Sequence, residues 1–364
     1  MSLFFFLSIL FAHCCIGHER PSFDDVHFPH LALRDQLPFP LSGAARTYRD
    51  TYCCCKELPP PHESVQSHQR RSNDNFFSDI LLVIHYNWPH FDTVPFLKEL
   101  YGPHFEHIVF YGDVDNQRPQ NQVPDGVYPV HTRSGKVQEQ SLVLAIQQYP
   151  GYRGYLFIND DIAMNFWRFE RFDKDKFWEG LNPRLKHDPP EVMTFVRDLF
   201  DVHYKQDHQP IQWLFRNKFF GREHLRKIFA CLPEVLLDNL ATDTGSWTHW
   251  PGLPADSMYV PGKWAAHFAR IGQYFYEYKV WFDIAFPTMT RMLVRSSDIE
   301  KFKAVYLGEP HDVSRIHYQE YIQQENVDFV HTIKLSDPKA RDFIVQWIEN
   351  NTFTTRNEEK FSLN

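Results

Sequence analysis

Residues 154–163 read Gly-Tyr-Leu-Phe-Ile-Asn-Asp-Asp-Ile-Ala, and the rest of the chain is best interpreted around them. The four apolar residues at 155–158 are typical of a short strand buried on both faces of a sheet. The run ends in Asn159, Asp160 and Asp161. Adjacent carboxylates at a strand end repel each other unless water, a donor or a cation meets them, and open α/β sheets bind ligands at that end. The stretch therefore predicts either a solvated turn or a divalent-metal site for a phosphorylated ligand.

Strand and helix patterns alternate from residue 79 to residue 163. Apolar runs predict strands at 80–84, 107–111, 126–130 and 154–158, and helical spacing predicts helices at 91–101 and 136–149. This alternation favours an α/β fold, in which a mostly parallel central sheet is flanked by helices on both faces. Polar residues that follow the strands, including Asn87 and Asp113, would then share one edge of the sheet with the 159–161 triplet. We expect a cleft there.

The second half of the chain carries weaker patterns. They predict a strand at 256–261, a short apolar segment at 328–334, and helices at 191–204, 211–240, 264–271, 275–293 and 338–350. The predicted helix at 275–293 carries Glu277 and Asp283 among aromatic residues. A carboxyl group in apolar surroundings has a raised pKa, which suits proton transfer. A helix acid paired with a basic neighbour such as Lys279 is the alternative.

The composition indicates a globular protein and excludes a nucleic-acid partner. Of 364 residues, 43% are hydrophobic, which is enough for a large core. The formal net charge is -8, and the sequence has no long Lys/Arg run that would follow a phosphate backbone.

The first residues predict export. Residues 3–17 are almost wholly apolar and resemble a signal-peptide core, although a short signal anchor is the alternative. Residues 18–78 are rich in Pro, His and Ser and predict a stem. We therefore expect the protein in the secretory pathway, in the Golgi or ER lumen, or else outside the cell. It would contact a membrane only if the first segment is kept as an anchor.

The cysteines fit an oxidising compartment. Without a signal peptide, Cys53, Cys54, Cys55 and Cys231 remain, and their spacing does not suit zinc. We expect one of the first three to form a disulfide bond with Cys231.

The usual glycine-based phosphate sites are missing from the sequence. The first predicted strand runs into Asn87-Trp88-Pro89 without a Gly-x-Gly-x-x-Gly turn, and no Gly-x-x-x-x-Gly-Lys-Ser/Thr motif occurs. A bound diphosphate would therefore need another source of positive charge. A cation held by carboxylates would supply it.

Residues 79–335 resemble the GT-A superfamily of nucleotide-sugar-dependent glycosyltransferases. Asn159-Asp160-Asp161 looks like the acidic Asp-x-Asp motif of that superfamily, and His331 looks like its late metal-binding His. The resemblance implies one GT-A-like catalytic domain at 79–350, with a nucleotide-binding half at 79–163, an acceptor half at 164–350 and a tail at 351–364. The chain departs from the motif at its first position, where Asn159 replaces the acid.

The resemblance also implies roles for individual residues. Asp160, Asp161 and His331 would bind Mn²⁺ or Mg²⁺, and the donor would be a nucleotide sugar. Asn159 would bind the ribose of that donor, and the other expected donor contacts are Asn87, Asp113, Lys136 and Lys334. In an inverting reaction a carboxylate takes the proton of the acceptor hydroxyl, and the candidates for this base are Asp283, Glu277 and Asp256.

The sequence thus predicts a metal-dependent glycosyltransferase that acts on a glycan or glycoprotein acceptor. Two alternatives remain open at this point. One is a secreted, non-catalytic binding protein with a degenerate glycosyltransferase fold, which the Asn159 departure favours. The other is a metal-dependent phosphoryl hydrolase that uses the same acidic cleft.

Overall fold

The computed structural model describes residues 75–115, 123–133, 135–181, 228, 232–245, 250–306, 318–323 and 327–362. Its strands are β1 (Ile80–Tyr86), β2 (His107–Asp113), β3 (Val127–Val130), β4 (Gly154–Asn159), β5 (Ile162–Met164), β6 (Phe177–Leu181), β7 (Ser257–Pro261), β8 (Ile299–Tyr306) and β9 (Phe329–His331). Its α-helices are α1 (Val94–Tyr101), α2 (Glu139–Gln148), α3 (Glu234–Thr244), α4 (Gly262–Glu277), α5 (Phe282–Leu293), α6 (Tyr318–Ile322) and α7 (Pro338–Ser362).

The strands of the described residues form one mixed, mostly parallel sheet. Their order is β3-β2-β1-β4-β7-β6-β8-β9-β5. Strand β1 lies parallel between β2 and β4, whereas β7 runs antiparallel to β4 and pairs Ser257 with Ile158. The predicted α/β architecture is confirmed. Because β7 is reversed, its first residue lies at the edge where β4 ends.

Strand β4 is buried on both faces, as the apolar run predicts. Tyr155 and Phe157 belong to the core on one face, which packs against α2, α3, α4 and α5. Leu156 and Ile158 belong to the core on the other face, which packs against α1 and α7. Alternate side chains of one strand therefore supply both cores, since successive residues of a strand point to opposite faces.

The predicted helix at 275–293 is wrong, because two helices occupy this stretch. Helix α4 continues to Glu277, and α5 begins at Phe282. Lys279 between them has a φ of 58°, and the backbone N–H of Val280 donates to the carbonyl of Phe275 at 3.0 Å. This left-handed residue with its backward hydrogen bond is a regular way to end a helix. Glu277 and Asp283 are consequently on different helices.

Other predictions differ from the structure at the ends of elements or lie outside the described residues. The sequence patterns did not reveal β5, β6 and β8, and α7 continues to Ser362 instead of ending near 350. The N-terminal segment at 1–17, most of the stem, the helix at 191–204 and all four predicted disulfide cysteines lie outside the described residues. Within the described ranges, no helix combines the length and apolar character that crossing a membrane requires.

Candidate functional site

The polar residues at the ends of β1, β4, β7 and β9 meet at one edge of the sheet. Asp160 and Asp161 follow β4, Asp256 precedes β7, and His331 ends β9. Backbone hydrogen bonds hold this edge together: Asp160 N donates to His85 O at 2.9 Å, and Ile333 N donates to Asp161 O at 2.7 Å. Residues that are far apart in the sequence are thereby fixed around one space.

That space is a cavity of about 280 Å³. The described residues that line it are Asn87, Trp88, His90, Asn159, Asp160, Asp161, Asp256, His331, Thr332, Lys334, Leu335 and Ser336. Three carboxylates are thus combined with a lysine, two imidazoles and several neutral polar groups. This mixture suits a ligand that carries both phosphate groups and hydroxyl groups.

His331 lies between two of the carboxylates. Its Nε2 is 3.1 Å from Oδ1 of Asp161, and its Nδ1 is 3.6 Å from Oδ2 of Asp256. The side chain of His331 is 18% exposed, so solvent screens these contacts only in part. Both ring nitrogens face carboxylate oxygens, which is the environment of an imidazolium cation.

The pKa values of the site reflect this arrangement. Burial alone would lower the pKa of His331, but the charges of Asp256 and Asp161 raise it to about 9. Burial would raise the pKa of Asp161, yet the charge and hydrogen bond of His331 bring it below its ordinary value. Burial and the charge of Asp161 raise the pKa of Asp160 well above its ordinary value, and burial also raises that of Asp256. Burial and mutual repulsion therefore disfavour the simultaneous ionisation of all three carboxyl groups, and a bound cation or hydrogen-bond donor would offset this.

We expect this protonated His331 to make the protein less stable at alkaline pH. A group whose pKa is raised by folding, here from 6.5 to about 9, stabilises the protein fully below pH 6.5 and loses that contribution as the pH rises through 9. The shift corresponds to about 3 kcal/mol. Urea unfolding of the wild-type protein and of His331→Gln between pH 6 and pH 9.5 measures this loss. The free energy of unfolding should decrease less steeply with pH in the variant.

His85 provides a control of opposite sign. It is fully buried, and burial lowers its pKa to about 4. Folding therefore disfavours protonation of His85, so the free energy of unfolding should fall as the pH drops from 6.5 to 4. His85→Gln should remove this loss and leave the pH dependence of stability above pH 6.5 unchanged. If the free energy of unfolding changes equally with pH between 6.5 and 9 in wild type and in His331→Gln, the assignment of a positive charge to His331 is contradicted.

The structure brings some of the predicted residues together and leaves others aside. Asn87, Asn159, Asp160, Asp161, Asp256, His331 and Lys334 line the cavity. Asp113, Lys136, Glu277 and Asp283 do not belong to its lining. Asp113 accepts backbone N–H bonds from Asp115, Thr132 and Gly135, so its carboxylate fixes the loop after β3. Its predicted contact with a donor finds no support in this arrangement.

Asp283 lies behind the cavity wall. Its Oδ1 accepts the backbone N–H of Ala255 at 2.9 Å, one residue before Asp256. Burial and the nearby charge of Asp256 raise the pKa of Asp283 well above its ordinary value. Asp283 thus supports the loop that carries Asp256, and of the three base candidates only Asp256 reaches the cavity.

Comparisons with known proteins add little at this point. No protein-family model matches the chain, and no curated protein matches it. Among solved structures, the mannosyltransferase Ktr4p from S. cerevisiae is 10% identical, with a TM-score of 0.29 over 78% of this chain and 81% of that one. A likeness this low decides neither the fold type nor the reaction. The functional argument therefore rests on the chemistry of the cavity.

The cavity also contains residues that the sequence patterns did not single out. Trp88 is 53% exposed at its rim, and His90, Thr332 and Ser336 add polar groups to its lining. An exposed indole beside a polar cavity is a surface on which a sugar ring or a base can stack. The position of Trp88 after a strand that ends in polar residues was the signal that could have identified it.

Asn87 is held in place by a buried chain of side chains. Oδ1 of Asn87 is 2.8 Å from Nε2 of His85, and Nδ1 of His85 is 2.9 Å from Oγ of Ser141. Because His85 is neutral at pH 7, this network assigns the ring proton to Nε2 and makes the Ser141 hydroxyl a donor to Nδ1. The orientation of one cavity residue is thus set from the interior of the protein.

The donor types of the site fit the predicted metal. The carboxylates of Asp160 and Asp161 and the imidazole of His331 are ligands that Mn²⁺ accepts. Among the described residues, however, no group of three or more His, Cys, Asp or Glu side chains is arranged to hold a metal ion. To bind one through Nε2, His331 would have to lose the proton on that nitrogen and its contact with Asp161, whereas its Nδ1–H could keep the contact with Asp256.

Proposed function

We propose that the protein is a glycosyltransferase that moves a sugar from a nucleoside-diphosphate donor to a glycan or glycoprotein acceptor in this cavity. The observation that carries the proposal is the convergence of Asp160, Asp161 and Asp256 with His331 and Lys334 around one space at the ends of the strands. Such transfer needs positive charge at the leaving diphosphate and a carboxylate near the acceptor hydroxyl. Both kinds of group are present.

In this proposal, different residues of the cavity contact the diphosphate and the acceptor hydroxyl. Lys334 would pair with a phosphate oxygen, and Asn87 and Ser336 would add neutral contacts. Asp256 would take the proton from the acceptor hydroxyl as its oxygen bonds to the sugar carbon and the bond from that carbon to the diphosphate breaks. Trp88 would cover an open side of the bound ring.

In this proposal Asp160, Asp161 and His331 would hold a divalent cation. When bound, such a cation supplies Lewis-acid stabilisation of the charge on the leaving diphosphate. Mn²⁺ and Mg²⁺ both accept these ligands, and the imidazole favours Mn²⁺. Secretion into the Golgi or ER lumen remains part of the proposal, based on the apolar segment at 3–17.

A thermal-shift panel with the full-length protein tests the function. Uridine, guanosine, cytidine and adenosine diphosphates are added with and without Mn²⁺, and inorganic phosphate is the control. One diphosphate at 100 times its Kd should add about 2.7 kcal/mol, or about 5–10 °C in Tm. The matching nucleotide sugars are then tested for hydrolysis and transfer.

Each result of the panel has a defined meaning. Stabilisation by one diphosphate followed by release of its sugar supports the proposal. Stabilisation without turnover of any nucleotide sugar supports the non-catalytic alternative, and release of phosphate without sugar transfer supports a hydrolase. A shift below 1 °C for every diphosphate, with or without Mn²⁺, contradicts the proposed function.

A further inference from the structure

Asn159, the residue that departs from the Asp-x-Asp pattern, is attached to Asp256. Its side-chain Nδ2 donates to Oδ1 of Asp256 at 2.9 Å, and its backbone N–H donates to the carbonyl of Asp256 at 3.1 Å. Two hydrogen bonds therefore tie the end of β4 to the residue that precedes β7. The side-chain bond has a charged acceptor, which makes it stronger than a bond between neutral groups.

The position of Asn159 does not suit direct contact with a ribose. The residue is only 2% exposed, and its Oδ1 is buried without a hydrogen-bond partner. Turning the amide over would place Oδ1 against the carboxylate of Asp256, so the contact itself fixes which atom is the donor. The Nδ2 group is thus engaged by Asp256, and the oxygen is screened from the cavity.

Asp256 is held from more than one direction. Asp283 accepts the N–H of Ala255 next to it, and Oδ2 of Asp256 lies 3.6 Å from Nδ1 of His331. With Oδ1 bonded to Asn159, rotation of the carboxylate is restricted, and the group keeps its place in the cavity wall. Reacting groups need such restriction, because small misplacements cost large factors in rate.

We infer that Asn159 is a positioning residue, which orients the Asp256 carboxylate toward the acceptor hydroxyl. This inference rests on the proposed function and gives a reason for the departure from the acidic motif. An ionised Asp at 159 has no proton to donate, and it would place a second negative charge against Asp256. The amide is therefore required by its partner, and the site is not degenerate at this position.

Four variants of the full-length protein test the inference: Asn159→Ala, Asn159→Asp, Asp256→Asn and the exchange Asn159→Asp with Asp256→Asn. The readouts are Tm, the Kd of the best nucleoside diphosphate, and kcat and KM for hydrolysis of its nucleotide sugar. Asn165→Ala is the matched control. Asn165 is also a buried asparagine, but it bonds to Trp347 and to the carbonyls of Ile322 and Val327, away from the cavity lining.

Asn159→Ala should lower kcat about 10- to 100-fold and change the Kd of the diphosphate less than threefold. Asn159→Asp should lower Tm by about 4 °C or more, because two carboxylates then face each other. The exchange restores a donor and an acceptor with reversed roles, so its Tm should return to within about 2 °C of wild type. Its kcat should stay at least 100-fold below wild type, because the carboxylate is at the wrong position. Asn165→Ala should lower Tm, but its kcat per mole of folded protein should equal that of wild type.

Three results would overturn the inference. The first is a tenfold weaker diphosphate Kd in Asn159→Ala with unchanged kcat, which is the behaviour of a ribose contact. The second is wild-type Tm and kcat in Asn159→Asp. The third is an exchange variant that does not recover Tm. If wild type turns over no nucleotide sugar, the proposed function fails and the acceptor role fails with it, whereas the Tm values of the four variants still establish or refute the Asn159–Asp256 contact.

Discussion

Asp161→Asn is expected to lower the rate of donor turnover by about 100-fold or more. The side chain of Asp161 contacts His331 and lines the cavity, so it belongs to the charged group that would face the leaving diphosphate. The substitution keeps the size of the side chain and removes its charge. Initial rates of nucleotide-sugar hydrolysis by full-length protein, with and without Mn²⁺, measure the effect.

An acid outside the site provides the control for Asp161. Asp175 pairs with Arg153 in an exposed salt bridge, in which the two side chains are 46% and 50% exposed. Asp175→Asn should leave turnover within a factor of two, since exposed pairs contribute little. If Asp161→Asn also stays within a factor of two of wild type, the cavity is not the site of the reaction.

The second large effect concerns stability. Arg291 on α5 is 1% exposed and donates to both carboxylate oxygens of Glu179 on β6, at 2.7 and 3.2 Å. Lys301 on β8 also contacts Glu179, and Asp243 on α3 lies 3.4 Å from Nε of Arg291. We expect Arg291→Met to cost about 3–5 kcal/mol, because it leaves the buried carboxylate of Glu179 without the guanidinium that binds both of its oxygens. Tm should fall by about 6–20 °C.

Arg153→Met is the matched control for this change. It removes the same functional group from the exposed pair with Asp175, and it should cost at most about 1 kcal/mol. Adding Glu179→Gln to Arg291→Met should recover part of the loss, since the unpaired charge is then removed. Equal effects of Arg291→Met and Arg153→Met on urea unfolding would show that the buried network is not a major source of stability.

The first half of the fold could be predicted because its strands are continuous apolar runs. Strands of this kind are buried on both faces, and the runs at 80–84 and 154–158 fall within β1 and β4. Strand β8 could not be predicted in this way, because its sequence, Ile-Glu-Lys-Phe-Lys-Ala-Val-Tyr, mixes charged and apolar residues without a long apolar run. Strand β5 has only three residues, too few for a pattern.

The site was predicted best where acids follow a strand directly. Asp160 and Asp161 lie in the cavity as the end of β4 implied, and His331 reaches them through the pairing of β5 with β9. Asp113 also follows a strand, but backbone amides of the loop after β3, those of Thr132 and Gly135, satisfy its carboxylate. A sequence does not show which acids find amide partners nearby. The attachment of Asn159 to Asp256 likewise depends on the reversed direction of β7, which no local pattern indicates.

The pairing of β5 with β9 has a consequence for how the protein matures. Ile162 pairs with His331, so contacts between very distant parts of the chain complete the cavity. Contacts of such long range form slowly, because the intervening chain must be ordered first. The cavity is therefore complete only once residues 329–336 have packed against the end of β4 and against β5. Ligand binding at the cavity would therefore be acquired late, and it would distinguish fully folded chains from partly folded ones.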